Sequence, residues 1–175
     1  EPIELFEVGD ERAPFLPPQD SGKVYRVLRQ AEGWLPLRDV PHRLPAERDE
    51  FVGRQAVLTE LVRHFDAGAR LVSLLGIGGS GKTRLALRFA RSWMGDFPGG
   101  AWFCDLSAAR NADGIVHAVA QALDVPPSHD DPVQQLGHAM AGRGACLVIL
   151  DNFEQVSRHA AETLGRWLDR AGQAR

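Results

Sequence analysis

Gly76-Ile-Gly-Gly-Ser-Gly-Lys-Thr83 is the stretch of this 175-residue chain whose residue types and spacing could do chemistry. Gly76, Gly78, Gly79 and Gly81, with Ile77 and Ser80 between them, let the backbone curl so that successive N–H groups point at phosphate oxygens. Lys82 brings a positive charge to the β- and γ-phosphates, and the Thr83 hydroxyl is a ligand for Mg2+. A helix opening at the loop adds the positive end of its dipole. A second group lies downstream. Cys146-Leu-Val-Ile-Leu150 is an unbroken apolar run that ends in Asp151, as a strand covered on both faces reads. A carboxylate at the C-terminal end of such a strand lies where ligands bind in open α/β sheets. Thr83 and Asp151 are the candidate metal-holding pair, and Lys82 and Asp151 the candidate catalytic groups.

These residues need elements to place them. Residues 71–75 are a short apolar run that predicts a buried strand entering the loop. Leu85, Ala86, Phe89, Ala90 and Trp93 recur at helical spacing and predict a helix over 82–94. Upstream, Leu58, Leu61, Val62 and Phe65 make the stripe of a helix over 54–65, with Gly68 at its exit. Residues 95–100 read as a loop and 101–106 as a strand. A helix over 112–123 follows, with Ile115, Val116, Val119, Ala120 and Leu123 on one face. Asp131-Pro132 is an N-cap and first-turn pair that starts a helix running to about 141. The strand over 145–150 leads into a final helix carrying Phe153, Val156, Ala160, Leu164 and Trp167. Strands alternating with helices predict an α/β fold with a mostly parallel, two-sided sheet. Residues 1–47 read differently. They alternate in strand style near 3–8 and 23–28 but carry two proline-rich stretches, so they are expected to be a flank or linker.

Composition narrows the class. Hydrophobic residues at 44% and charged residues at 25% describe an ordinary globular chain. The net charge of −3 argues against bulk nucleic-acid attraction. No apolar run reaches membrane-spanning length and no secretory leader is visible, so a cytoplasmic location is expected, without direct nucleic-acid or membrane binding by this segment. Cys104 and Cys146 fall in the predicted strands and are expected to be buried, reduced thiols. The six histidines show no ligand spacing. Trp93, Trp102 and Trp167 fit core faces. The first residue is Glu1 rather than Met, so the chain is expected to have been processed, trimmed or cut from a longer one.

Three segments together carry a family resemblance: Phe51-Val-Gly-Arg54, the phosphate loop continuing through Arg84-Leu-Ala86, and Leu147-Val-Ile-Leu-Asp-Asn-Phe-Glu154. Over about 44–175 the chain resembles the signal-transduction ATPases with numerous domains (the STAND class). It is most similar to bacterial ATPase domains fused to cyclase or LuxR-type transcription-regulator domains. The resemblance implies a P-loop NTPase three-layer αβα sandwich, of which residues 48–175 would be the N-terminal part, stopping before the sensor strand. It implies ATP or ADP and Mg2+ as ligands. It implies other domains of the same longer chain as partners, with nucleotide-driven self-association. It places Phe51, Val52, Gly53 and Arg54 near the nucleotide base. The family often has Glu three residues after that Arg; Val57 stands there, and no role is carried over. Residues 4–8, 23–27 and 44–49 also resemble the junction after a class III nucleotide cyclase domain, and a generic linker fits them nearly as well.

The water-activating group is open at this stage. Many relatives place Glu directly after the strand-end Asp, but this chain has Asn152, which can orient water and cannot accept its proton. Glu154 is the nearest carboxylate, and it serves equally as a first-turn residue complementing the helix dipole. Asp105 could support the Mg2+ site or act as a local cap. Arg84 adjoins the loop and joins the candidate binding set, yet Arg84 and Arg88 otherwise read as a solvated helix face, and no arginine finger is assigned. Two functions remain: a nucleotide-gated switch with slow hydrolysis, and an ATPase that turns over. Asn152 favours the switch. The isolated piece is expected to be inactive.

Overall fold

The computed structural model describes residues 4–5, 24–25, 27–30, 33–36, 40–47, 51, 53–126 and 130–175. Its elements in chain order are β1 (Glu4–Leu5), β2 (Val24–Tyr25), β3 (Val27–Gln30), β4 (Gly33–Pro36), β5 (His42–Arg43), α1 (Gln55–Asp66), α2 (Lys82–Ser92), β6 (Ala101–Asp105), α3 (Ala112–Leu123), α4 (Pro132–Arg143), β7 (Leu147–Asp151) and α5 (Arg166–Arg170). β1 and β2 pair in parallel, and β3 and β4 form an antiparallel pair. The sheet that positions the site is β5-β6-β7, parallel throughout.

Alternation along its strands decides the layering. Ala101, Leu147 and Ile149 face one core; Trp102, Cys104, Val148 and Leu150 face the other. The first core is filled by Leu58 and Leu61 of α1 and by Leu85, Phe89 and Ala90 of α2, with Trp93, Met94 and Phe97 behind them. Here Phe89 stacks on Trp93 with ring centroids 5.1 Å apart, and Phe65 tilts against Phe89 at 5.4 Å. The second core holds Ile115 and Val119 of α3, Leu136 and Met140 of α4, and Val156 and Trp167. Helices therefore lie on both faces, and β7 reads as continuous apolar sequence because both its faces pack on a core, Leu147 fully buried and Val148, Ile149 and Leu150 partly so. All three tryptophans assigned to core faces are buried. So are both cysteines, which are unpaired thiols, and burial pushes the Cys104 thiol up to about 12. Among the described residues, no helix is long and apolar enough to cross a membrane.

Local chemistry sets the helix ends. Asp131 caps α4 by accepting from the Gln134 N–H at 2.9 Å, with Pro132 in the first turn, as its sequence predicts. Asn111 caps α3 in the same way through the Gly114 N–H at 2.9 Å. Gly68 leaves α1 with φ of 91°.

Three expectations are corrected. Residues 71–75 form no strand. Among the described residues no strand lies beside them, and a strand without a ladder leaves its N–H and C=O groups unpaired. Val72 and Leu74 still pack on the first core, while Leu71 is 52% and Leu75 92% exposed. The proline-rich stretch before residue 48 is not all flank: β5 joins the sheet, and Val40 is buried in the first core. The final helix is not uniform. Phe153–His159 is wound as a 3-10 helix and Ala161–Gly165 as a π-helix before α5. Val156, Thr163 and Trp167 are all buried nonetheless, and Trp167 Nε1 donates to Val133 O at 2.9 Å. At the far edge of β7, Arg175 N–H donates to Cys146 O at 2.9 Å and Val148 N–H to Arg175 O at 2.8 Å, a parallel bridge.

Gly99 sits where the chain enters β6. A Cβ there would stand 2.1 Å from Arg143 O, and its N–H donates to Ala145 O at 2.8 Å. Gly142, inside α4, has open space around its Cβ position. Gly99→Ala is expected to lose about 3 kcal/mol through overpacking against backbone. Gly142→Ala should gain about 0.5–1 kcal/mol from the helix-propensity difference. Urea unfolding of both variants checks the contrast, and equal effects would contradict the close approach at Gly99.

Candidate nucleotide site

Register brings the site's carboxylates together. β6 and β7 pair from Ala101↔Leu147 to Asp105↔Asp151, so the two aspartates end level at the C-terminal edge of the sheet. The phosphate loop arrives at the same edge. Gly79 and Gly81 have φ of 74° and 80°, a left-handed backbone that only glycine adopts freely, and the loop closes with Ser80 N–H to Ile77 O at 3.2 Å. α2 then starts from Gly81 with no side chain capping it. Its first-turn N–H groups have no partner within the helix, which is the arrangement that receives an anion.

Thr83 Oγ1 donates to Asp151, lying 2.8 Å from Oδ1 and 3.0 Å from Oδ2. The two residues are 68 apart in sequence. This contact brings together the Mg2+-holding pair expected from the motifs. A hydroxyl and one carboxylate suit Mg2+, which takes a few protein oxygens and fills its octahedron with water and substrate phosphate. Among the described residues no group of three or more His, Cys, Asp or Glu side chains offers an alternative metal site. Lys82 Nζ lies across the loop, donating to Gly76 O at 2.9 Å and Ile77 O at 3.1 Å. Gly78 has open space at its Cβ position, and Ile77 is 83% exposed.

Asn152 follows in a left-handed conformation, φ 60° and ψ 31°. That geometry swings its amide back over the strand ends. Nδ2 donates to Asp105 Oδ1 at 3.1 Å and lies 3.5 Å from Asp151 Oδ2. Asp105 also accepts from the Ser107 N–H at 2.9 Å. The Ser107 bonds, aided by Asn152 and opposed by slight desolvation, hold its carboxyl below the usual range. The cap and the link to the site are thus both made by one side chain. Glu154 is exposed in the first turn of the 3-10 helix.

On the other side of the loop, Arg54 stands at the N-terminal boundary of α1 in a left-handed conformation, φ 61°, with no side-chain bond to the helix. Its Nη1 lies 3.5 Å from where a Cβ on Gly81 would stand, so the Phe51–Arg54 segment and the phosphate loop meet. Gly53 is also left-handed, with φ of 80°, and Val52 lies outside the described residues. The Phe51 ring sits under two guanidinium groups, with Arg84 Cζ at 5.8 Å and Arg88 Cζ at 5.6 Å from its centroid. Arg88 Nη1 donates to Glu47 Oε2 at 3.1 Å, with side chains only 15% and 22% exposed. The solvated-face reading is therefore corrected for Arg88, which is ion-paired and largely covered, while Arg84 is exposed. Sequence reasoning missed Glu47. The arginines at 84, 88 and 91 do mark a stripe at helical spacing, but no local rule finds a partner 41 residues away.

A glycine loop running into a helix, its threonine bonded to an aspartate at the end of a parallel strand, defines a P-loop NTPase-type α/β domain. The chain belongs to the AAA domain family, whose model matches residues 62–174. It is also similar to uncharacterized proteins of Mycobacterium tuberculosis and Mycobacterium bovis, each 37% identical over 87 residues, covering 50% of this chain and 22% of theirs. The regulatory protein AfsR of Streptomyces griseus is 30% identical over 137 residues, covering 67% of this chain and 13% of that protein. The chain thus spans less than a quarter of the length of these relatives. No solved structure is a significant match.

The backbone at Asn152 generates a prediction. A β-branched residue is strained where φ is positive. Asn152→Val should cost about 1–2 kcal/mol more than Asn152→Gly, which keeps the left-handed turn at no steric cost. Urea unfolding measures the difference, and a Val variant as stable as the Gly variant would show that the turn is not required.

Proposed function

We propose that this chain is the ATP/ADP-binding module of a multidomain signalling or transcriptional regulator, acting as a Mg2+-dependent nucleotide switch with slow hydrolysis. The observation that carries the reading is the Thr83–Asp151 contact beside the phosphate loop. The name of the AfsR relatives supports a regulatory setting, and their length leaves room for further domains. Membership in the STAND class, a cyclase domain joined through the flank that precedes β5, a nucleotide-binding unit that takes in β5 as well as residues 48–175, and nucleotide-driven self-association belong to the same proposal.

In this reading the loop amides and Lys82 bind the phosphates. To do so, the Lys82 ammonium exchanges its bonds to Gly76 O and Ile77 O for phosphate oxygens, at little electrostatic cost. Thr83 and Asp151 would hold Mg2+, which when bound neutralises charge on the β- and γ-oxygens. Asn152 works as an acceptor. Its Nδ2 is engaged by Asp105, which leaves Oδ1 to orient a water. An amide oxygen takes no proton at neutral pH, so turnover is slow. The second reading, an ATPase that turns over, would need Glu154 as base.

Lys82→Ala should remove a charge-assisted contact worth roughly 1.5–3 kcal/mol, about tenfold or more in affinity. Calorimetric titration with ATP and ADP in Mg2+ tests it, and unchanged affinity would sink the assignment.

Phosphate release from ATP should be near background and unaltered by Glu154→Gln, because Glu154 is an exposed first-turn residue. A large drop in rate with ATP binding retained would transfer water activation to Glu154 and favour the second reading.

A further inference from the structure

Arg70 opens the stretch that enters the phosphate loop, and its side chain is tied to a distant helix end. Nη2 donates to Ala171 O at 2.9 Å and to Leu168 O, 101 and 98 residues away in sequence. These carbonyls close α5, and a helix leaves such groups for a cation to satisfy. The helix dipole favours a positive charge there as well. Arg70 Nε is enclosed by protein and makes no hydrogen bond, a cost that the bonds to α5 offset. The end of α5 is itself fixed. Ala174 N–H donates to Ala171 O at 3.1 Å, and Arg175 then pairs with Cys146 and Val148 at the start of β7.

Residues 70–83 are therefore fastened twice. Arg70 holds the helix end that leads to the start of β7, and Thr83 holds Asp151 at the last position of that strand. Between the two fastenings, residues 71–75 have no strand beside them among the described residues. Val72 and Leu74 pack on the first core, but apolar contact is non-directional and sets no height along a strand. We propose that Arg70 is a positioning residue for the metal-holding pair: its grip on α5 fixes how far the phosphate loop is carried toward the sheet's edge, and so the separation of Thr83 from Asp151. The proposal rests on the nucleotide and Mg2+ reading above. Lys82 and the loop amides travel with the loop, so phosphate binding without metal is insensitive to Arg70. Binding that needs Thr83 and Asp151 together is sensitive. Without the clamp, the fraction of molecules with the pair in place falls, and the apparent affinity falls with it.

The experiment measures ATP affinity by calorimetry, in Mg2+ and in EDTA, on the wild-type protein and on Arg70→Gln, Arg70→Lys, Arg166→Gln and Lys82→Ala. Arg166→Gln is the structural control: it breaks the pair with Asp131 at the other end of α5 and leaves the carbonyls bound by Arg70 in place. Arg70→Gln should weaken ATP about tenfold in Mg2+, the size of one charge-assisted contact, and leave the affinity in EDTA unchanged. Arg70→Lys, which keeps a cation at the helix end, should recover most of the loss. Arg166→Gln should lower the melting temperature without changing the ratio of the two affinities. In the nucleotide-free protein, chymotrypsin should cut after Leu75, which is 92% exposed, about tenfold faster in Arg70→Gln and no faster in Arg166→Gln, because cleavage follows the population of the loosened stretch. An equal fall in Mg2+ and EDTA, or the same change of ratio in Arg166→Gln, would make Arg70 a stability element only and overturn the proposal. Wild-type protein that binds no ATP, or binds it with no help from Mg2+, would overturn the nucleotide reading and this one with it. Lys82-dependent, Mg2+-assisted binding that is the same in Arg70→Gln as in the wild type would overturn this one alone.

Discussion

The hydrogen bond from Thr83 to Asp151 ties two parts of the chain that have no reason to meet unless the sheet forms. Thr83 is placed by the first turn of α2, and Asp151 by the last position of β7. The carboxylate can reach the hydroxyl only if α2 lies on the sheet at one height and β7 pairs with β6 in one register. A slip of one residue would turn Asp151 toward the opposite face and carry the whole apolar set of β7 with it. The burial of Leu147, Cys146 and the residues around them therefore fixes the geometry of two polar groups at the sheet's edge.

The same edge shows how charge is arranged around that contact. Asp105, Asp151 and Asn152 converge from two adjacent strand ends. Two carboxylates held this close need donors or a cation between them. The amide of Asn152 and the hydroxyl of Thr83 fill that role in the protein alone. In the proposed Mg2+-bound form, a divalent cation would take the place of the hydroxyl proton beside Asp151.

Much of this was legible in the sequence, for physical reasons that differ by element. The helix over 112–123 and the Asp131-Pro132 start are local: stripe and cap reside in a dozen residues. The phosphate loop is equally local, because glycine placement alone dictates its curl. β7 was readable because burial on both faces forces an unbroken apolar run. The stretch 71–75 shares that signature and is not a strand, since apolar content states a demand for a neighbour and does not supply one. β5 was hidden because two residues beside proline carry no periodicity. The ion pair between Glu47 and Arg88 was hidden because sequence distance erases pairings made by tertiary packing, and the arginine stripe alone looks the same whether it meets water or a glutamate.

The sealed thiols have a practical consequence. Cys104 faces Leu150 across the ladder, four residues beyond Cys146, so the two sulfur-bearing residues stand on the order of 13 Å apart along the strands. That separation is far outside the reach of a disulfide. With both side chains enclosed and Cys104 protonated up to about pH 12, neither presents a thiolate to an oxidant or a maleimide. The native chain is therefore already a silent background for labelling. A cysteine placed at Ile77, on the open rim of the phosphate loop, would carry a fluorophore alone and report the loop's movements without removing any residue of the core.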